Sequence, residues 1–501
     1  MCAKEELKSQ ILQPDKLQEY VKSFNDMYEE EVVNYISDEE SFKWLENNIP
    51  LFEAPDPKME EIYYFRWWTF RKHLKKTSEG FVFTEFITPV SHGGNYNTIS
   101  SALGHHINEG RWLHNDKYMD EYIIFWLIRD KYAEKSFHHK FSGWLAHAVY
   151  QRYLVNNDDV FLISLINELD ADYLQWQEEK RLPNGMYWQY DVRDAMEESI
   201  SGSRTEKNIR PTINSYMYGN AKAMAKMAKM INRDSLKEVY TQRAEKLREL
   251  VHENLWSEDE NFFEVRLENG ELADVREAIG YIPWYFNLPK DYPEYAEAWK
   301  QINDTEGFKA PYGLTTAEQR HPEFRTHGTG TSEWDGAVWP YASTQTLKAL
   351  ANLLTNYSEN FMTKEDYFRE LKKYAMAHEK DGKPFIGEYF DEQTNEHLHG
   401  DKPRSVHYNH SGYVDLIIND LIGLKPREDN ILEVEPLLPE GQWDWFCLDK
   451  VKYHDRILTF LWDRNGKKYG RGSGFRIFVD DEEIFHANSL GKVIVDLSER
   501  K

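Results

Sequence analysis

Apolar positions recur at helical spacing over most of the first 430 residues and at alternate spacing after them. Residues 14–35 and 57–76 carry the helical pattern, each opened by a proline suited to a first turn. The helical pattern continues over 99–112, 117–134, 137–155, 159–180, 212–231, 234–256, 292–303, 336–357, 363–379 and 409–423. Between the first two segments, Ile-Pro-Leu-Phe-Glu-Ala-Pro-Asp-Pro is a connector. Residues 80–90 alternate like a strand or extended arm, and 91–98 read as a loop from their glycines and asparagines. From about Asn430 the period changes. Residues 431–438, 451–463, 474–486 and 492–497 read as strands, with Asn465-Gly466 marking a hairpin turn.

Connector lengths add a second pattern. Short connectors around 114–117 and 155–158 alternate with long ones at 181–211, 257–291, 304–335 and 380–408, which are rich in glycine, proline and aromatics. That alternation predicts antiparallel helical hairpins with the long loops at one end. The expected fold is mainly α: an (α/α)6 toroid of helical hairpins with a small C-terminal β domain. The expected division is an N-terminal helical arm (1–56), a barrel (57–429) and a β-sandwich-like unit (430–501). No fixed repeat period is present, which excludes a short-repeat solenoid.

Composition narrows the function classes. The chain has 501 residues and a formal charge of −25. That balance argues against nucleic acid and anionic membranes as partners, since phosphate recognition needs basic patches. No apolar run is long enough for a membrane span, so membrane insertion is not expected. Aromatic residues make up 15% of the chain, a richness shared by carbohydrate-binding proteins and by large aromatic cores. The two cysteines give no disulfide framework. The start Met-Cys-Ala-Lys fits either a plain cytoplasmic N-terminus or a periplasmic or cell-surface lipoprotein whose processed cysteine is Cys2.

Candidate chemistry concentrates in three of the loops. Residues 182–203 (LPNGMYWQYDVRDAMEESISGS) set Tyr187, Trp188 and Tyr190 beside Asp191, Asp194, Glu197 and Glu198. Sugar rings need both: apolar C–H faces stack on aromatics, and hydroxyls need polar partners. A solvated acidic loop with its aromatics in the core is the structural alternative. Glu388 lies in KPFIGEYFDEQTNEHLHG, a loop and not a charged helix face. With Glu197 it would make the carboxyl pair that glycoside hydrolysis requires, one acid and one base. Trp334-Asp335-Gly336-Ala337-Val338-Trp339 precedes a helix expected to begin near Pro340, either as a sugar platform or as two core anchors.

These motifs resemble the six-hairpin (α/α)6-barrel glycosidases, nearest to the mannosylglycerate-hydrolase-like group and glycoside hydrolase family 63. That family carries Trp-Arg-Gly-Pro-Val-Trp at a helix entrance; residues 334–339 match with Asp for Arg and Ala for Pro. Its general acid is the Asp of Ser-Gly-Met-Asp-Asn-Ser, and residues 194–199 (Asp-Ala-Met-Glu-Glu-Ser) put Glu197 there. Its base is a Glu in a Glu-Asn/Gln-Tyr-x-x-x-Thr-Gly stretch, similar to Glu388-Tyr389 through Thr394, one residue shorter between Glu and Tyr. Tyr408-Asn409-His410-Ser411-Gly412-Tyr413, then Leu424-Lys425-Pro426 and a β tail, resemble the end of α-L-rhamnosidase catalytic domains. The resemblance implies an inverting, exo-acting glycosidase on an α-linked sugar of an oligo- or polysaccharide. Glu197 and Glu388 are then the catalytic residues. Trp188, Asp194, Trp334, Asp335, Trp339, His105, Asn214 and His410 are the candidate substrate contacts.

A sugar epimerase or polysaccharide lyase is the alternative, with His105, His106, His407 and Tyr408 as working groups. The histidines have no cysteine partners and no His-Glu-x-x-His spacing, so no zinc site is expected. No glycine-rich phosphate loop follows an expected strand, so no cofactor is expected either.

Overall fold

The computed structural model describes residues 11–129, 138–326, 328, 332–358 and 361–498. Cys2, on which the reading of the N-terminus turns, lies outside them. So do parts of the expected helices 117–134 and 137–155.

Helices dominate up to residue 421, and antiparallel strands follow. The helix Pro57–His73 is buried on nearly every face. Its Tyr63, Trp67 and Trp68 are among the most enclosed side chains of the molecule, so it reads as an interior helix and not an amphipathic surface one. The helices Asp15–Met27, Lys364–Ala377 and Tyr413–Asp415 pack against it. Asp56 accepts from the Met59 amide at 3.2 Å, and Pro57 fills the first turn.

Helical hairpins form where the connectors are short. Leu145–Asn156 joins Asp159–Lys180 through Asn157 at φ 55°, and Pro211–Met230 joins Asp234–Leu255 through Asn232 at φ 56°. Asparagine tolerates this left-handed conformation and closes each helix C-terminus. Two helices fall where none was expected. Asp38–Asn48 opens with a Ser37–Glu40 capping box, and Ile282–Tyr285 lies inside the long connector 257–291. The expected helix 57–76 stops at His73, because Leu74–Thr77 pairs with Gly80–Phe83 as a hairpin.

The C-terminal strands form two antiparallel sheets. The larger runs Leu51–Glu53, Trp445–Tyr453, Arg456–Asp463, Gly474–Val479 and Glu482–Ala487; the smaller runs Leu424–Lys425, Ile431–Val434 and Val493–Asp496. Two expected strands are in fact hairpins. Residues 451–463 reverse at His454-Asp455 (φ 47° and 59°), and residues 474–486 reverse at Asp480-Asp481 (φ 49° and 74°). Positive φ at both central residues is the two-residue turn that matches strand twist, here built without glycine. Asn465-Gly466 instead lies in a longer connection between Asp463 and Gly474.

Leu51–Glu53 pairs with Trp445–Tyr453, so a strand from the N-terminal segment completes the C-terminal sheet. One apolar core runs from Leu17 to Leu497. No described helix is long and apolar enough to cross a membrane.

Candidate active site

A cavity of about 470 Å³ collects residues from several distant segments. The loops 181–211, 304–335 and 380–408 all reach it, through Glu197, Ser332 and Glu388 respectively. Segment 80–101 adds Glu85 and Ser101, and the turn after residue 138 adds Lys140 and Phe141.

The loop that carries Glu197 is fixed from beneath. Met196 is fully buried, and its amide donates to the Asp191 carbonyl at 3.1 Å. Ala195 and Glu198, on either side of this pair, hold φ 58° and 61°, a conformation that side chains other than glycine adopt at a cost. Asp194 provides the anchor. Its carboxylate has no solvent exposure, pairs with Arg210 Nε at 2.7 Å and accepts from the Thr212 hydroxyl. Ser201 donates to Glu277, pinning the far end of the loop. A side chain at Gly202 would lie 2.6 Å from Ser199 Oγ and 2.7 Å from Asp191 Oδ2, so glycine lets the chain close there.

Glu388 sits in the opposite electrostatic setting. It is 4% exposed and accepts from His399 Nδ1 (3.0 Å), Ser405 Oγ (3.0 Å) and Arg404 (3.1 Å). Lys402 Nζ can only donate, and it lies 2.8 Å from His399 Nε2. Arg404 Nη2 lies 3.0 Å from His399 Nδ1, so a donor-only side chain faces each ring nitrogen. Burial alone would raise the Glu388 pKa, but the His399 hydrogen bond and the Arg404 charge outweigh it and hold it below the ordinary carboxylate range.

Glu197 is half-buried in the cavity wall, and its carboxyl is bonded to its own backbone amide. Burial, with the charges of Glu388 and Asp191 adding to it, pushes its pKa up to about 7. A third carboxyl, Glu85, is also pushed up to about 7 by burial. Both its oxygens are engaged, by Ser101 Oγ at 2.5 Å and Tyr408 Oη at 2.7 Å. Aromatic rings close the cavity: Trp334 and Trp339 stack at 4.5 Å, and Trp339 stacks on Tyr389 at 4.6 Å. Tyr341 and His410 line it as well.

The family model for the mannosylglycerate hydrolase MGH1-like glycoside hydrolase domain matches residues 95–411. The chain belongs to this family. It carries a glycoside hydrolase domain over those residues. The model for the glycosyl hydrolase family 65 C-terminal domain matches residues 424–486 of this MGH1-like chain. A solved structure named "Sialidase" is 48% identical with a TM-score of 0.95, over 98% of this chain and 45% of that one. The chain thus spans less than half the length of that relative. The family 63 mannosylglycerate hydrolase of Thermus thermophilus, solved with Tris, is 13% identical with a TM-score of 0.55, over 71% of this chain and 99% of that one. The α-L-rhamnosidase of Dictyoglumus thermophilum is 12% identical with a TM-score of 0.58, over 88% and 45%. At such identities the likeness is one of fold. An uncharacterized protein of Borreliella burgdorferi is 22% identical over 178 residues, 36% of each chain.

Of the site residues expected from sequence, Glu197, Glu388, Trp334, Trp339 and His410 line this cavity. The others do not. Asp194 is the loop anchor described above. Asn214 bonds the Tyr187 amide and carbonyl at 2.9 and 2.8 Å, holding the start of the same loop. His105 packs edge-on against Trp144 and Tyr341. Asp335 is fully buried, and Trp188 lies under Lys180 and Lys207.

The histidines of the epimerase or lyase alternative are dispersed. His106 bonds Tyr122 and the Asn409 carbonyl, and His407 packs against Tyr28, Phe65 and Trp68. Neither His105, His106 nor His407 lines the cavity, although Tyr408 does. Sequence reading passed over Glu85, His399 and Arg404. The signal for Glu85 was a lone carboxylate among the apolar residues of GFVFTEFITPV. For the other two it was a histidine and an arginine placed within sixteen residues of Glu388.

Proposed function

We propose that this chain is a glycosidase, inverting and exo-acting on an α-linked sugar, with Glu197 as general acid and Glu388 as general base. The observation that carries this reading is the divergence of two carboxyls on one cavity. Glu197 retains its proton to about pH 7, whereas His399 and Arg404 keep Glu388 ionised. Opposite environments for two carboxyls are how one site runs acid and base chemistry together. Glu197 would protonate the departing glycosidic oxygen. Glu388, held by three donors, would take a proton from the attacking water. Glu85, fixed by Ser101 and Tyr408, would bind sugar hydroxyls, and Trp334 would face the ring.

The proposed frame is an (α/α)6 toroid over residues 57–429, braced by the arm 1–56 and the β unit 430–501. Convergence of three long loops on one cavity supports that arrangement.

Proton NMR of the first-formed product tests the stereochemistry, once a screen of released monosaccharides has supplied a substrate. The reading predicts that the anomeric configuration of the first product is inverted relative to the substrate. Retained configuration would make Glu388 a nucleophile and overturn its assignment as base.

A further inference from the structure

One cluster takes no part in this chemistry. His138 and His139 lie in the short turn His138–Lys140, immediately before Lys140 and Phe141 of the cavity wall. They meet the helix Asp159–Lys180, on which Asp172, Trp176 and Glu179 follow at helical spacing along one face. His138 Nε2 lies 2.6 Å and His139 Nε2 2.9 Å from the same atom, Asp172 Oδ1. His139 Nδ1 lies 3.0 Å from Glu179 Oε2. Trp176 stacks flat on the His139 ring at 4.3 Å, and Trp126 stacks on His138 at 6.1 Å, so both rings are held in place.

The geometry sets a requirement. Glu179 is an acceptor, so His139 Nδ1 carries the hydrogen between them, and in the neutral ring Nε2 then presents a lone pair. That lone pair faces a carboxylate oxygen, which also offers only lone pairs. His138 Nε2 points at the same oxygen. Either a proton on Nε2, which makes the ring an imidazolium, or a metal ion among the three atoms resolves this, and a single metal ion serves both rings at once. A carboxylate that orients a ligating histidine through its other nitrogen is the usual support of such a ligand, and Glu179 holds that place.

We propose that His138, His139 and Asp172 bind a divalent transition-metal ion of the zinc type, which clamps the cavity-wall turn to the helix Asp159–Lys180. Two imidazoles and one carboxylate suit zinc, with water completing four-coordination. The candidate ligand atoms lie within 4.8 Å of one another. Tetrahedral bonds of about 2.0–2.1 Å would set them about 3.3 Å apart, an opening of roughly half an ångström for each histidine from the Asp172 oxygen. The spacing was invisible to motif reading, because the histidines are adjacent in sequence and the carboxylate comes 33 residues after the second.

The test uses tag-free, full-length protein stripped with a chelator. Zn2+ uptake is measured by competition with a chromophoric chelator, and Co2+ is added separately to read its visible absorption. The expected result is about one Zn2+ per chain and the intense spectrum of four-coordinate Co2+. A rise in melting temperature on adding Zn2+ should accompany them. His139→Gln and Asp172→Asn should abolish all three, while Glu179→Gln should weaken uptake by about 10–100-fold. If Asp172→Asn fails to fold, His139→Gln and the wild-type Co2+ spectrum decide. No stoichiometric uptake of either metal by the wild type would overturn the proposal. Uptake unchanged in His139→Gln would also overturn it and mean an adventitious ion only.

Discussion

At the scale of single residues, the account rests on two glutamates with different surroundings. With Glu197 as the proposed acid, activity should be lost as pH rises through about 7. With Glu388 as the proposed base, the acid limb should lie below the ordinary carboxylate range. Glu85 titrates near Glu197 and interacts with it, so the alkaline limb of kcat/KM belongs to the pair and not to either group alone. Arg404→Gln removes one of the groups that hold Glu388 down. The acid limb should then move to higher pH while the alkaline limb stays in place, and a kcat/KM profile of the variant checks this. An acid limb that does not move would show that Arg404 does not set the charge of Glu388. Sequence singled out Glu197, Glu388 and the two tryptophans because carboxylates and aromatics in glycine-rich loops are unusual. Residue type alone does not separate Glu197 from Asp194, three residues away; only the resemblance gave them different roles. Which of two loop carboxylates faces a cavity and which faces Arg210 depends on backbone conformation at Ala195 and Glu198, and composition carries no trace of that.

Among elements, the loop 182–203 owes its shape to partners far along the chain. Arg210→Met would leave Asp194 buried without its cation. Breaking a buried pair in this way costs about 3–5 kcal/mol, and it would also loosen the segment that aims Glu197. A lower melting temperature with a fall in kcat larger than the change in KM is expected, read by calorimetry and steady-state kinetics on the same preparation. Unchanged stability would mean that the pair does not anchor the loop. The helices were legible because apolar spacing survives tertiary packing. The start at Pro340, after Trp339, follows from the proline alone. The reversals at His454-Asp455 and Asp480-Asp481 were not legible, since neither pair advertises a turn as Asn-Gly does. Their positive φ is imposed by the strands they join.

For the whole molecule, the long-range feature is the strand Leu51–Glu53, which links the chain's first segment to its last sheet. A three-residue strand inside a proline-rich connector has no periodicity to detect, so only the fold reveals it. Removing residues 430–501 would strip its partner Trp445–Tyr453 and expose Phe52, which packs near Trp443. The truncated chain is expected to be insoluble or to melt well below the full chain, and the full chain to unfold in one calorimetric transition. A soluble truncated chain that keeps full activity would show instead that the β unit is an independent appendage. The central claim, a glycosidase with Glu197 as acid and Glu388 as base, is tested most directly by comparing leaving groups. One substrate should carry a sugar or alcohol that needs a proton to depart, and the other a fluoride or nitrophenolate that does not. Glu197→Gln should lose nearly all turnover of the first and keep substantial turnover of the second, whereas Glu388→Gln should lose both. Equal losses on both substrates for Glu197→Gln, or full activity in either variant, would contradict the assignment.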